Sequence, residues 1–192
     1  SILSAVAPVF YKENKINLLD TPGLFDFVSG FYEGLQAAES AVIVISGKSG
    51  VNVGAIKAAR AAADNKKSRL FFVNKCDDEN ADFAKVLVQL KENFGSGVLP
   101  VVIPEKAGGE TVYVNILTKK AFKYDKSGKA AEADFDPSRY EDILSSVAET
   151  VAETDEKLMD KFFSGEQFTE EELLTGIKLG VKDGSILPVL LW

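Results

Sequence analysis

The sequence predicts an α/β fold, a doubly wound parallel sheet with a small α+β unit inserted before its last strand. Three observations carry that expectation. Short apolar runs at residues 16–19, 41–45 and 70–73 have the length and composition of buried parallel strands. Apolar residues recur at helical spacing between and after them. After Asn93 the alternation stops, and β-like segments are followed by amphipathic helices. With 192 residues, 46% of them hydrophobic, the chain is long enough to bury a substantial core.

Taken in order, residues 5–11 join residues 15–19 through Lys12, Glu13 and Asn14, which reads as a hairpin and an antiparallel edge strand. Phe27, Phe31, Leu35 and Ala38 mark a first helix, Ile56, Ala59 and Ala63 a second, and Phe83, Val86, Leu87 and Leu90 a third. Residues 95–97 read as a turn, 101–103, 111–118 and 121–124 as strands, and 125–128 as a turn. From Pro137 one long helix is expected, with Tyr140, Ile143, Leu144, Val147, Val151, Leu158 and Phe162 on one side and Gly165 as its stop. Thr169 and Glu172 form a capping box that opens another helix containing Leu173, Leu174 and Ile177. Residues 185–191 read as the final strand. The expected division is residues 1–94 and 184–192 as one core and 95–183 as the insert.

Composition narrows the function classes. The apolar runs fall far short of the roughly 18 residues of a spanning helix, and no charged-then-apolar leader is read, so a soluble chain with no membrane partner is expected. One cysteine, Cys76, excludes a disulfide framework and fits a reducing, cytoplasmic compartment. The absence of histidine argues against zinc and removes the commonest general base. Net charge is -7, but residues 132–172 hold 14 acids against three bases, leaving 19 bases against 15 acids elsewhere. That distribution argues against a whole-surface nucleic-acid binder and leaves an acidic helical segment as either a solvated surface or a dock for a basic partner; no direct sequence-specific nucleic-acid recognition is expected.

Two motifs carry chemistry. Asp20-Thr21-Pro22-Gly23 directly follows a strand. An Asp there can hold magnesium through water, and Gly23 lets its backbone N–H approach a phosphate; the same residues also suit an ordinary tight turn. Asn74-Lys75-Cys76-Asp77 follows the strand at residues 70–73. The Asp77 carboxylate can accept from both N1–H and N2–H of guanine, Lys75 can lay its stem over the base, and Asn74 can tie neighbouring loops together. Gly47-Lys48-Ser49 imitates the tail of a phosphate loop, but Val42 stands where that loop needs its first glycine, so it reads as a surface connection.

These motifs, with Asp26-Phe27, Ala81-Asp82-Phe83, Ala152-Glu153-Thr154-Asp155-Glu156, Gly165-Glu166, Glu170-Glu171-Glu172-Leu173 and Ile186-Leu187-Pro188-Val189-Leu190, resemble the GTPase domain of bacterial elongation factor G. The likeness is closer to its atypical elongation-factor-G-like relatives and covers nearly the whole chain. It implies a ribosome-associated translational GTPase that binds GTP or GDP with magnesium. It also implies an inserted subdomain, residues 136–172 above all, that meets the ribosomal stalk protein. Within the resemblance, Asp20 corresponds to the magnesium carboxylate acting through water and Gly23 to the γ-phosphate sensor. Asn74, Lys75 and Asp77 correspond to the guanine readers, and Ser1 to a weak candidate magnesium ligand.

Three departures accompany the resemblance. The phosphate-binding loop, its strand and most of the first switch would lie before Ser1, so the expected fold is a truncated P-loop GTPase sheet with negligible nucleotide affinity of its own and an exposed sheet edge. The base-closing loop expected after Leu190 is not matched by Leu191-Trp192. Leu24 occupies the place of the family's water-orienting histidine, and leucine offers neither donor nor acceptor. Two other readings remain open: a ribosomal-protection or release-type translational GTPase, and an acidic interaction module using Glu149, Glu153 and Glu156 without turnover of its own.

Overall fold

The computed structural model describes residues 2–107, 110–125 and 127–192. Four parallel strands form the central sheet: β3 (Ser40–Ser46), β4 (Ser68–Asn74), β5 (Val98–Pro100) and β10 (Leu187–Leu191), in the order β3-β4-β10-β5. The apolar runs at 41–45 and 70–73 lie in this sheet as expected. Side chains alternate across it, with Ile43, Ile45, Phe71, Val73 and Val189 on one buried face. Helices α2 (Val53–Asp64) and α3 (Phe83–Phe94) cover that face through Ala55, Ala59, Phe83, Val86 and Leu90. Burying a side chain such as Phe71 fully contributes roughly 1.5–3 kcal/mol.

The hairpin is present, as β1 (Ala5–Tyr11) and β2 (Asn14–Asp20) in full antiparallel register from Ala5 opposite Asp20 to Tyr11 opposite Asn14. Its turn residues Lys12 and Glu13 both take positive φ, 42° and 46°, the twist that a two-residue hairpin turn needs. The expectation of a buried parallel strand at residues 16–19 is corrected. β1 and β2 form a separate two-stranded sheet, and Ile16 and Leu18 are exposed, because outside the parallel sheet the ribbon lacks, among the described residues, a covering layer over the face that they share. The outer edge of β3 is likewise unpaired among the described residues. The hairpin leads through a 3-10 turn at Phe25–Phe27 to α1 (Val28–Ala37).

A second sheet is an antiparallel meander, β6 (Val102–Ala107), β7 (Glu110–Asn115), β8 (Lys120–Tyr124) and β9 (Ala130–Ala133). With the helices that follow, it encloses a second core containing Val112, Val114, Val147, Val151, Leu173 and Ile177. Strand β5 is a difference from expectation: residues 98–100 continue the parallel sheet, with Val98 facing the first core and Leu99 the second. Gly97 admits this arrangement, since a Cβ there would overlap the carbonyl oxygen of Ser185, next to the entry of β10. The Gly97 carbonyl accepts from Leu187 N at 2.8 Å.

The single long helix expected from Pro137 is broken into a 3-10 turn (Pro137–Tyr140), α4 (Glu141–Ala152) and α5 (Glu156–Phe163). The cause is local. Asp155 leaves helical geometry and caps α5 by accepting from Lys157 N and Leu158 N, while the Thr154 hydroxyl bonds back to Val151 O. Tyr140 donates its hydroxyl to Glu105, which also pairs with Arg139, and this fixes the 3-10 turn to β6. Gly165 does follow the end of α5, at φ 77°.

The capping box is complete at α6 (Glu170–Asp183): Glu172 N donates to Thr169 Oγ1 at 3.2 Å and Thr169 N to Glu172 Oε2 at 2.7 Å. Lys161 from α5 bonds both Glu172 oxygens at 2.8 Å. Those Lys161 bonds and the Thr169 N–H hold the Glu172 carboxyl down at about 2 against an ordinary 4.5. A carboxyl lowered by folding stabilises above its unfolded pKa, and that contribution disappears as pH falls from about 4.5 through about 2. In urea unfolding at stepped pH, Glu172→Gln is therefore expected to be less stable than the parent at pH 7 and to converge with it as pH approaches 2.

Candidate nucleotide site at the carboxyl ends of β2 and β4

Asn74 ends β4, and its carbonyl accepts from Gly47 N at 2.8 Å. Its side-chain Oδ1 accepts from Lys75 N at 2.9 Å, which caps the turn. Lys75 is exposed and takes φ 62°, a left-handed conformation that costs a non-glycine residue about 1 kcal/mol or more. Other elements hold the loop in this shape. Cys76 N donates to Trp192 O at 3.1 Å, and Trp192 N to Val73 O at 2.9 Å, so the end of β10 grips one side. On the other side Asp82 N donates to Gly47 O at 3.1 Å, and Lys48 pairs with Asp78 at 3.6 Å.

The Gly47-Lys48-Ser49 segment is thus a turn between β3 and α2, as expected, but it does more than connect. Gly47 is buried, and a Cβ there would press on Ala81, Asn74 O and the Cys76 sulfur at 3.3–3.4 Å. Burial, then the Asp77 carboxylate, pushes the Cys76 thiol up, with the backbone bond to Trp192 opposing. Hydrogen bonds from Asn80, assisted by Lys48, hold the Asp78 carboxyl below its usual range. Asp77 is exposed and makes no hydrogen bond or ion pair among the described residues, so its oxygens are open to an incoming donor pair.

Asp20 is the last residue of β2 and is exposed. The chain then seats itself on α1. Pro22 is buried, with its ring 3.2–3.3 Å from where a Gly30 Cβ would sit, and Thr21 Cγ2 lies 2.5 Å from the corresponding point at Gly34. Ser4 donates to Gly30 O at 2.9 Å and fastens the start of the hairpin to the same helix face. Gly23 has no atom within 4 Å of its Cβ position, and Leu24 is 64% exposed, with its carbonyl accepting from Phe27 N at 3.0 Å. At its other end α1 is tied to the main body by Gln36 with Asn65 at 2.7 Å and Lys67 with Ala38 O at 2.6 Å.

Asn74, Lys75 and Asp77 therefore share one braced loop on the parallel sheet, while Asp20, Gly23 and Leu24 share a second segment carried by the hairpin and α1. Ser1 lies outside the described residues. Among the described residues no three His, Cys, Asp or Glu side chains gather into a metal cage. The carboxylate that the second segment presents, Asp20, suits a cation such as magnesium, which keeps waters and phosphate oxygens in its shell.

Residues 1–186 match the family described as the elongation factor Tu GTP binding domain. The chain belongs to that GTP-binding domain family. It is 37% identical over 191 residues to an elongation factor G-like protein of Thermotoga maritima, and 32% identical over 202 residues to elongation factor G 1 of a Synechocystis species. These alignments cover 99% and 98% of the chain but 28% of each relative, so the chain spans little more than a quarter of their length. A crystal structure of a protein from Thermus thermophilus superposes over the whole chain with a TM-score of 0.90 at 32% identity, covering 29% of that protein. Membership of the GTP-binding domain family implies guanine nucleotide as the ligand class. No helix among the described residues is long and apolar enough to cross a membrane.

Two features of this GTP-binding domain escaped the sequence reading. Gly30 and Gly34, four residues apart on α1, were a legible small-residue pair. The ring cluster of Tyr113, Tyr124 and Trp192 beside the Asn74 loop had no sequence signal, because its members come from three separate segments of the chain. The α1 seat gives a test. Gly34→Ala should destabilise the domain despite the higher helix propensity of alanine, since the new methyl displaces Thr21. In a Thr21→Ala background the obstruction is gone, and the same change should stabilise by about 0.5–1 kcal/mol in urea unfolding.

Proposed function

We propose that this chain is the guanine-reading part of an elongation-factor-G-like translational GTPase that couples GTP hydrolysis to a step of protein synthesis on the ribosome. The carrying observation is the Asn74–Asp77 loop, clamped at the carboxyl edge of the parallel sheet with the Asp77 carboxylate exposed. Ligands of open α/β sheets bind at that edge. Asp77 accepts from N1–H and N2–H of guanine, the Lys75 stem lies along the base, and Asn74 sets the turn through its bond to Lys75 N.

On this reading Asp20 would hold magnesium through water and Gly23 would meet the γ-phosphate, the open space at its Cβ position leaving room for that approach. Magnesium, when bound, neutralises charge on the phosphates during phosphoryl transfer. Leu24 stands where the attacking water is oriented; with no donor or acceptor of its own, either turnover is slow or the ribosome or another group positions the water. The proposed division is a GTPase core, residues 1–94 and 184–192, interrupted by an insert, residues 95–183; the pairing of β5 with β10 supports a later start of the insert, after Pro100. Residues 136–172 of that insert present the acidic helices to the ribosomal stalk protein, and the protein works in the cytoplasm.

Two experiments on the full-length protein test this. Asp77→Asn is expected to weaken GDP binding about a hundredfold and to raise affinity for xanthosine diphosphate, whose C2 carbonyl suits the Asn amide donor. Unchanged GDP affinity in a calorimetric titration would sink the guanine reading. Leu24→His is expected to raise ribosome-stimulated hydrolysis by about tenfold or more, measured as phosphate release; an unchanged rate removes Leu24 from the mechanism.

A further inference from the structure

We propose that Tyr113, stacked on Trp192, positions the Asn74–Asp77 loop for base recognition, so that the antiparallel sheet of the second core takes part in guanine selectivity. This rests on the guanine reading above and adds residues outside its motif. The main chain of Trp192 is the element that holds Cys76, the residue between Lys75 and Asp77. Lys75 sits in an unfavourable left-handed conformation, so the loop needs an outside restraint to keep its shape. Freed of that restraint, it relaxes and carries Asp77 away from the base edge.

The indole of Trp192 is itself held by rings from the other sheet. Tyr113 of β7 lies 6.3 Å away, centroid to centroid, and is nearly parallel at 15°. Tyr124, at the end of β8, meets the indole edge-on at 5.0 Å and 71°. The two tyrosines contact each other at 5.6 Å and 70°. All three separations fall where aromatic pairs attract, beyond simple area burial. Tyr113 also reaches the loop: burial first, then the Cys76 thiol, the Asp77 carboxylate and the Tyr124 phenol, push its own phenol up. The first core touches Tyr113 and Cys76 alike, so the ring and the loop pack on common ground. Movement in the β6–β9 sheet therefore has a short route to Asp77, through two rings and one hydrogen bond.

The test uses the full-length protein and compares GDP with inosine diphosphate, which lacks the 2-amino group and so forfeits one of the two bonds to Asp77. The ratio of the two affinities reports the placement of Asp77. Tyr113→Ala is expected to weaken GDP about fivefold and inosine diphosphate less, shrinking the ratio. Tyr113→Phe keeps the ring and should leave both affinities within about twofold. If Tyr113→Ala leaves GDP binding unchanged, or weakens both nucleotides by the same factor, the positioning role is overturned. Should that variant fail to fold by circular dichroism, Tyr124→Ala, which removes a ring 40% exposed, decides the matter: an unchanged ratio overturns the proposal. Asp77→Asn in the same titrations separates the two readings. A ratio it does not alter removes the guanine assignment, whereas a ratio altered by Asp77→Asn but not by Tyr113→Ala removes the positioning role alone.

Discussion

The insertion of β10 between β4 and β5 is the pairing on which the rest of the structure depends. Val189, Leu190 and Leu191 pair with Phe71, Phe72 and Val73 on one side, and Leu187, Pro188 and Val189 pair with Val98, Leu99 and Pro100 on the other. Without that strand the parallel sheet divides into β3-β4 and an isolated β5. The two halves of this pairing are distant in sequence, so residues 101–186 must fold and return the chain to one narrow slot. Ile186 and Leu187 show the consequence at single-residue scale, the first completing the second core and the second completing the first. The cores are thereby coupled by a strand rather than by a flexible linker, and at Gly97 the returning chain passes so near the departing one that a Cβ would overlap Ser185 O.

The hairpin does not share in that cooperativity. Val6, Val9, Phe10, Ile16 and Leu18 are all exposed, so its order rests on the β1-β2 ladder and on the seat at α1. A two-stranded ribbon is marginal by itself, which gives the Ser4, Thr21 and Pro22 contacts a weight out of proportion to their number. Burial therefore contrasts the two regions: β4 and β10 carry fully buried side chains such as Phe71, Val73 and Val189, whereas the hairpin leaves its apolar side chains in solvent.

Legibility in the sequence followed the same contrast. The runs at 41–45 and 70–73 were readable because a strand buried among partners is apolar along its length, and the capping box at Thr169 and Glu172 because it is entirely local. The run at 16–19 looks alike but is exposed, since burial belongs to the partners and not to the run itself. Three-residue β5 was missed because so short a strand has no period to detect, and its place is set by β10, far along the chain. The break after Ala152 was missed because the apolar stripe continues through it; only the Asp155 side chain, competing for backbone N–H groups, marks the interruption. At the candidate site the motif residues were legible from their chemistry. Gly47 and Trp192, which bond to that loop, were not, because each comes from a different part of the chain.

Those supports divide the proposed chemistry between two mechanical settings. Base selection requires acceptors fixed to within a fraction of an ångström, and the Asn74–Asp77 loop is held from β10 through Trp192 and from β3 through Gly47, which Asp82 at the start of α3 bonds in turn. Sensing a terminal phosphate and releasing it after hydrolysis requires the opposite, a segment able to occupy two positions at small cost. Residues 20–24 are the less restrained of the two segments: beyond Thr21 and Pro22, Gly23 is unobstructed and Leu24 exposed, on a helix tied to the main body at its far end. Under the proposed function Leu24 then has a physical consequence beyond its lack of a hydrogen-bonding group. The residue is 64% exposed, and an apolar side chain gains by leaving water, so an arrangement that covers Leu24 is favoured over one that leaves it in solvent.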